Sequence, residues 1–407
     1  MELLPSSPDQ PPLHSQLVAL GHRLRETLLA VVHQLPDSAQ KTAGLSRFSG
    51  TNKVFTSRLL TALRQEDPLS VVHRLPGPDP LRRFLESEGV QKAAPTTVGP
   101  AQDAIGRFQK LIETEAGDRA SLQTLMSTWL GDARSEFDLR RRQSAFKAIS
   151  ELKGSSVDLN LSVAVLHPSQ TDGYMDLVWL MGMIGLQRLR HGAQVRLDTQ
   201  RLTDEGTERH PASLRGAPMD GNLDADLDAF CPHGPAPLEA RQVGGTMNYL
   251  LAGDHFGPHR RSDMLLVEVN RAEMRRFRHD QPERRSFVYA NPVPPTHLLV
   301  VDVFLHKSLM EGTPPELLVF DTAGSGPKDP NEPISTFDLM EISEQLEYHD
   351  CASGLPDLPE YLPYAQLLAT VLGKMEWAME EFHVWRVRMP YPLHSSQVTV
   401  AFRPRPE

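Results

Sequence analysis

The chain has 407 residues, of which 40% are hydrophobic and 23% charged, and its net charge is −10. These values fit a soluble globular protein of two or three domains. Two cysteines are too few for a disulfide framework, which excludes a disulfide-stabilised secreted domain. The longest apolar run, 177–186, is about half the length that a helix needs to span a bilayer, which excludes a membrane helix.

Charge is distributed unevenly along the chain. Residues 1–150 carry 19 Lys and Arg against 16 Asp and Glu, so the acidic excess lies after residue 150. Between Ser38 and Gln65 there is no acidic residue, and the cations in this stretch are Lys41, Arg47, Lys53, Arg58 and Arg64. A cationic segment in an acidic protein indicates a surface that binds an anion.

The N-terminal part has helical patterns. Residues 1–13, polar and rich in proline, are predicted to form a disordered tail. An apolar stripe at helical spacing follows, made of Leu17, Leu20, Leu24, Leu28 and Val31. We predict a helix-turn-helix DNA-binding region at 14–89. Residues 90–154 are predicted to hold a linker, at 90–100, and then connecting helices.

The patterns change after residue 154. Alternating apolar and polar residues predict strands near 157–168, 263–269, 297–305, 316–321, 383–389 and 397–403. The run 177–186 fits a buried helix or strand, and 201–245 is predicted to be an irregular insertion. The predicted fold class is therefore α+β: an all-helical N-terminal region with a helix-turn-helix, then a mixed α+β ligand-binding or oligomerisation domain at 155–407.

The stretch "RFSGTNKVFTSRLL", residues 47–60, has the pattern of two helices with a glycine between them. Gly50 is predicted to make the turn with a positive φ, and Asn52 or Thr51 to cap a second helix at about 53–66. One face of that helix is apolar, with Phe55, Leu59, Ala62 and Leu63. The opposite face is polar, with Lys53, Ser57, Thr61 and Arg64.

Such a polar face has the chemistry for a DNA groove, because Lys and Arg reach phosphates or guanine edges and hydroxyls contact bases or phosphates. The residues predicted to contact DNA are Lys41, Arg47, Thr51, Asn52, Lys53, Ser57, Arg58, Thr61 and Arg64. Ser49 and Thr51 are unusual for the motif, since apolar residues are common at those places. A helical hairpin with a merely solvated polar face is therefore the alternative.

A further pattern is formed by Gly50, Lys53, Arg58, Leu59, Asp67, Pro68, His73, Pro76, Gly77 and Pro78. In these residues the chain resembles a group of bacterial helix-turn-helix proteins regarded as transcriptional regulators, and the resemblance covers about the first 150 residues. The segments "AGDRASLQTLM" at 116–126 and "RRQSAFKAIS" at 141–150 also resemble that group. The resemblance implies a role in DNA binding, and it supplies no reaction and no catalytic residue.

Other motifs point less clearly to chemistry. Cys231, His233, His255 and His259 could supply zinc ligands, but their spacing matches no common zinc site. "LLVFDTAGSG" at 317–326 resembles a GTPase element, yet the chain has no phosphate-binding loop motif. We therefore predict neither a metal nor a cofactor.

The sequence favours a cytoplasmic, DNA-binding transcriptional regulator that binds double-stranded DNA as a homo-oligomer. Its C-terminal domain would bind a small-molecule effector or a partner subunit, and no membrane is involved. Two alternatives stay open: a protein that uses the helical region for docking or self-assembly, and an enzyme with its site in the C-terminal domain. The sequence favours a non-enzymatic protein.

Overall fold

The computed structural model divides into two units, Met1–Asp138 and Leu139–Glu407. It describes residues 12–407 apart from 128, 202, 205–206, 209–210, 219–224, 254–255, 258, 278–283 and 311. The predicted α+β fold class is confirmed, with a helical N-terminal region followed by a sheet-dominated region. Of the tail predicted at 1–13, residues 1–11 lie outside the described residues. None of the described helices is long and apolar enough to cross a membrane.

Helices make up the first unit and extend a short way into the second. They are α1 (Leu13–Gln34), α2 (Thr42–Ser49), α3 (Lys53–Leu63), α4 (Pro68–Arg74), α5 (Pro78–Glu86), α6 (Glu88–Ala93), α7 (Val98–Leu111), α8 (Arg119–Ser127) and α9 (Gly131–Lys153). The predicted stripe of α1 is buried, and it packs against α4 and α7. This stripe is the centre of the helical core, because a long amphipathic helix contributes the most extended apolar surface.

The linker predicted at 90–100 is instead part of the helical core. Val90 on α6, Ala94 after it and Val98 at the start of α7 are all buried. The proline at 100 misled the prediction, since proline is tolerated in the first turn of a helix, where no intrahelical partner is needed for its nitrogen. The division between the units falls within α9, at 138, whereas the sequence placed it at 154.

The second unit is built from strands and one further helix. The strands are β1 (Ser155–Pro168), β2 (Tyr174–Arg188), β3 (Arg196–Arg201), β4 (Thr203–Asp204), β5 (Thr207–Glu208), β6 (Leu238–Val243), β7 (Thr246–Leu251), β8 (Arg261–Arg275), β9 (Ser286–Ala290), β10 (Thr296–His306), β11 (Glu316–Asp321), β12 (Glu347–Asp350), β13 (Phe382–Pro390) and β14 (Ser396–Phe402). The helix is α10 (Tyr364–Met375). All six predicted strands are present, and the apolar run 177–186 is strand β2.

A six-stranded sheet with the order β12-β13-β10-β1-β2-β8 forms the middle layer. β1 and β10 are parallel, and the other neighbours are antiparallel. Because side chains alternate along a strand, one face packs on α10 and the other on the sheet β11-β14-β9. The region predicted to be an irregular insertion contributes β6 and β7, which join β3 in a third sheet.

A buried ion pair lies on the α10 face of the middle sheet. Asp302 on β10 is fully buried and accepts from Arg386 on β13, with Nε to Oδ1 at 2.8 Å and Nη2 to Oδ2 at 2.6 Å. The Tyr364 hydroxyl of α10 donates to the same carboxylate. Burial, followed by the charge of Asp302, raises the pKa of Tyr364, so the phenol keeps its proton and remains a donor.

Asp302→Asn should strongly destabilise the second unit, because it leaves the buried Arg386 guanidinium without a counter-charge. We expect the free energy of unfolding to fall by about 3–5 kcal/mol. Asp172→Asn, at an exposed turn position, is the control and should change it by less than about 0.5 kcal/mol. Urea unfolding followed by tryptophan fluorescence measures this unit, since three of the four tryptophans, Trp179, Trp377 and Trp385, lie in it. Equal effects of the two substitutions would contradict a structural role for the pair.

Candidate nucleic-acid interface

The turn between α2 and α3 is held by side-chain hydrogen bonds. Gly50 ends α2 with φ +67, which bears out the predicted positive φ. Asn52 caps α3 as predicted, and its Oδ1 accepts from the backbone N–H of Phe55 at 2.7 Å. Ser46 Oγ donates to the Thr51 carbonyl at 2.6 Å, so the chain on both sides of Gly50 is fixed.

The predicted apolar face of α3 is buried, with Phe55, Leu59, Ala62 and Leu63 all in the helical core. Thr56 is buried beside them, and its hydroxyl donates to the Thr42 carbonyl at 3.2 Å, which ties α3 to the start of α2. Arg25 of α1 donates to the Leu63 carbonyl at 3.3 Å, at the last turn of α3. A cation there interacts favourably with the negative end of the helix dipole.

The structure exposes most of the residues that the sequence proposed as DNA contacts. Those exposed are Lys41, Arg47, Asn52, Lys53, Ser57, Arg58, Thr61 and Arg64. Thr51 is half-buried, and its hydroxyl shares a hydrogen bond of 2.7 Å with Ser49 Oγ. Ser49, an unusual residue before the turn, is buried and donates to the Leu45 carbonyl at 2.7 Å. The side-chain oxygens of Thr51 and Asn52 are therefore already used to hold the turn.

The cations on this surface have no acidic partners within the described chain. No ion pair with a described carboxylate involves Lys41, Arg47, Lys53, Arg58 or Arg64. We call these five side chains, together with Ser57 and Thr61, the basic surface. Its positive charge is not neutralised locally, so it can attract an external anion.

A buried arginine that the sequence analysis missed adds to this charge. Arg119 at the start of α8 donates through Nη2 to the carbonyls of Val72 at 2.6 Å and His73 at 3.1 Å, at the end of α4. Burial, and after it the nearby charge of Arg58, lower the pKa of Arg119 to about 10, so it stays protonated at neutral pH. No local pattern marks Arg119, since its partners are about 45 residues away in sequence.

Val54 is the second residue that the sequence analysis missed. At about 100° per residue it falls between Thr61 and Arg58 on the outward side of α3. The structure confirms this placement, because Val54 is 71% exposed. The helical periodicity already contained this signal. An exposed methyl group among cations and hydroxyls can contact the methyl of thymine in a major groove.

The second unit contains a pocket of about 620 Å³, which is large enough to bind a small molecule. Its walls combine aromatic, aliphatic and polar side chains, including Tyr348, His383, Trp385, Leu346 and Glu344. The Tyr348 hydroxyl lies 2.9 Å from His383 Nδ1, and burial lowers the pKa of His383. This wall therefore offers a neutral polar pair beside an indole ring.

The zinc ligands considered in the sequence do not form a cluster among the described residues. His233 and Cys231 both approach Asp263, with His233 Nδ1 at 2.9 Å from Asp263 Oδ1 and Cys231 Sγ at 4.0 Å from its carbonyl oxygen. Burial raises the pKa of Cys231 to about 12, which keeps the thiol protonated and a poor metal ligand. His255 lies outside the described residues.

Gly50→Ala should lower the free energy of unfolding of the helical unit by about 1 kcal/mol, because φ +67 is unfavourable for a residue with a Cβ. The added Cβ would meet no atom within 4 Å, so the backbone alone causes the loss. Gly106→Ala is the matched control: it is an exposed position inside α7 with equally open space, and there the same change should stabilise by about 0.5–1 kcal/mol. Thermal unfolding followed by the helix signal in circular dichroism measures both, and shifts of the same sign would contradict the role of Gly50.

Comparisons with known proteins add little to this geometry. No protein-family model matches the chain, and the comparison with curated proteins gives no match. Among solved structures, a putative protease from Parabacteroides distasonis is similar at 10% identity and a TM-score of 0.25, over 61% of this chain. The matched part spans 40% of that protein. A likeness this weak carries no argument about fold or function.

Proposed function

We propose that this protein binds double-stranded DNA through the basic surface and acts as a transcriptional regulator. The observation that supports this best is the set of five exposed cations on α2, α3 and the residues flanking them, none paired with a described carboxylate. A polyanion would neutralise these charges and release its own counterions, which is the main source of free energy in non-specific DNA binding.

The chemistry of α3 supports a duplex as the anion. Lys53 and Arg64 stand at opposite ends of the polar face, and Ser57 and Thr61 lie between them. This arrangement allows phosphate contacts at both ends of a groove and base or phosphate contacts in the middle. The hydrogen-bonded turn at Gly50 would present the helix without a large loss of conformational entropy on binding.

The acidic remainder of the chain would orient the protein on DNA. The excess of Asp and Glu lies after residue 150 and repels a polyanion, so the basic surface is the part that a duplex would approach. We propose that the second unit provides oligomerisation, which would pair two basic surfaces on two half-sites. We propose that a small-molecule effector binds in the pocket beside Tyr348 and Trp385.

The cytoplasm is the compartment that this role requires. Cys231 and Cys351 are both free, which fits a reducing environment. The alternatives differ from the proposal in measurable ways. A docking or self-assembly protein would show no steep salt dependence towards duplexes, and an enzyme would need reactive groups converging in the second unit.

Fluorescence anisotropy with a labelled mixed-sequence duplex of about 30 base pairs tests the proposal, since that length holds two half-sites one helical turn apart. Affinity for the parent chain should fall steeply between about 50 and 200 mM salt. Lys53→Glu with Arg64→Glu should weaken binding at least about tenfold and reduce the salt slope by about 0.9 for each phosphate that is no longer neutralised.

Arg190→Glu with Arg260→Glu is the matched control, since both side chains are exposed in the second unit and the total charge changes by the same amount. This pair should leave the affinity within about twofold, because distant exposed charges are screened. Circular dichroism should show that all four substitutions leave the fold intact. Equal losses in the two double variants, or no binding by the parent chain, would refute the proposed interface.

A further inference from the structure

Two histidines lie at the carboxyl ends of the two parallel strands at the centre of the six-stranded sheet. The register of β1 on β10 pairs Val165 with Phe304 and Leu166 with Leu305. One step further along, His167 lies beside His306, and their ring centroids are 4.8 Å apart. Both side chains point to the α10 face, since they share the alternation of Val165 and Phe304. The carboxyl ends of parallel strands are common places for ligand sites.

A carboxylate reaches the same point from the neighbouring strand. β13 pairs Phe382 with His306, so Glu381 directly before β13 comes next to Lys307. The Lys307 N–H donates to the Glu381 carbonyl at 2.8 Å, which fixes the backbone there. Glu381 Oε2 is 3.8 Å from His306 Nε2. The ligand atoms of His167, His306 and Glu381 all lie within 4.8 Å of one another, and the described residues contain no second group of three such side chains.

The ring of His167 is held in a fixed orientation. It stacks on Trp377 with centroids 4.5 Å apart and an interplanar angle of 9°. Its Nδ1 lies 2.8 Å from the Pro168 carbonyl oxygen and therefore carries the proton that this bond requires. Nε2 is left with its lone pair. Histidines that bind metals are typically oriented by such a bond from the other ring nitrogen to a carbonyl.

The ring of His306 is oriented by Ser308. Ser308 Oγ lies 2.8 Å from His306 Nδ1, and Arg276 Nη2 donates to the same Oγ at 3.3 Å. The Ser308 N–H also approaches Nδ1, at 3.1 Å, so without a ligand the ring proton sits on Nε2 and faces Glu381. A metal on Nε2 requires the other tautomer, in which Nδ1–H donates to Ser308 Oγ and the bond from the Ser308 N–H to Nδ1 is lost.

We propose that His167, His306 and Glu381 bind one Zn²⁺ ion. Two imidazoles and one carboxylate are a ligand set that zinc prefers, whereas Mg²⁺ and Ca²⁺ require oxygen ligands. Ligand atoms around a tetrahedral zinc ion lie about 3.4 Å apart. The ligand atoms of His167, His306 and Glu381 would reach this separation if their side chains moved by about 1 Å. Glu381 can make most of that movement, since its side chain is 47% exposed.

The surroundings favour binding of the metal by neutral histidines. Phe382 and Trp377 are buried beside the two rings and keep water from one side of the site. Burial lowers the pKa of both His167 and His306, and the neutral imidazole is the form that coordinates a metal. Three protein ligands leave the fourth zinc position open, and a water molecule or an external ligand takes it.

Isothermal titration of the full-length, chelator-treated protein with ZnCl₂ tests the proposal. We expect one ion per chain, and an affinity at least about tenfold weaker for Glu381→Gln and for His167→Gln. His297→Gln is the matched control, because His297 is an exposed histidine near the opposite end of the same strand β10, and it should leave the affinity unchanged. Glu381→Gln should fold normally, as its side chain is half-exposed, so it decides the question even if a histidine variant does not fold.

Tryptophan fluorescence gives an independent measurement of where the ion binds. Co²⁺ in place of Zn²⁺ should quench Trp377, which stacks on the ligand His167. Trp377→Phe should remove most of this quenching while zinc binding in the titration persists. A parent chain that binds no zinc, unchanged affinity in Glu381→Gln, or quenching that survives in Trp377→Phe would each overturn the site.

Discussion

The buried ion pair between Asp302 and Arg386 fixes the arrangement of the second unit. A carboxylate without exposure is tolerated only when its partners supply enough hydrogen bonds, and here two come from Arg386 and one from Tyr364. These three side chains join β10, β13 and α10 at one point. Trp377 follows α10 by two residues and Glu381 directly precedes β13. The positions of both residues therefore depend on the contact among Asp302, Arg386 and Tyr364.

The sequence predicted the strands of this unit because their signal is local. Alternation of apolar and polar residues in β1, β10 and β13 gave their positions to within a few residues. The pairing of β1 with β10 had no such signal, since well over 100 residues separate them. For this reason the sequence alone does not point to His167 or His306. A Leu-His pair lies at the end of β10 and one residue before the end of β1, and only the parallel register brings the two pairs together.

The basic surface was more accessible to prediction, because it lies on one short segment. Helical periodicity separated buried Phe55 and Leu59 from exposed Lys53 and Arg64, and the cap residue Asn52 could be assigned from its chemistry alone. Arg119 could not be assigned, since its contacts with α4 exist only in the folded unit. The linker prediction at 90–100 was wrong for a related reason: the packing of Val90 and Val98 in the core outweighs the nearby proline and glycine.

The basic surface and the cluster of His167, His306 and Glu381 have opposite electrostatic environments. At the basic surface, burial lowers the pKa of Arg119, and the nearby charge of Arg58 lowers it further. Folding gains nothing from this proximity, and an anion bound beside Arg58 would relieve it. At the strand ends, burial lowers the pKa of His167 and His306, so a cation meets one carboxylate and two imidazoles whose neutral forms are favoured. Binding of an anion in one unit and of a cation in the other would each stabilise the unit that holds it, because each ligand compensates an electrostatic cost of the folded chain.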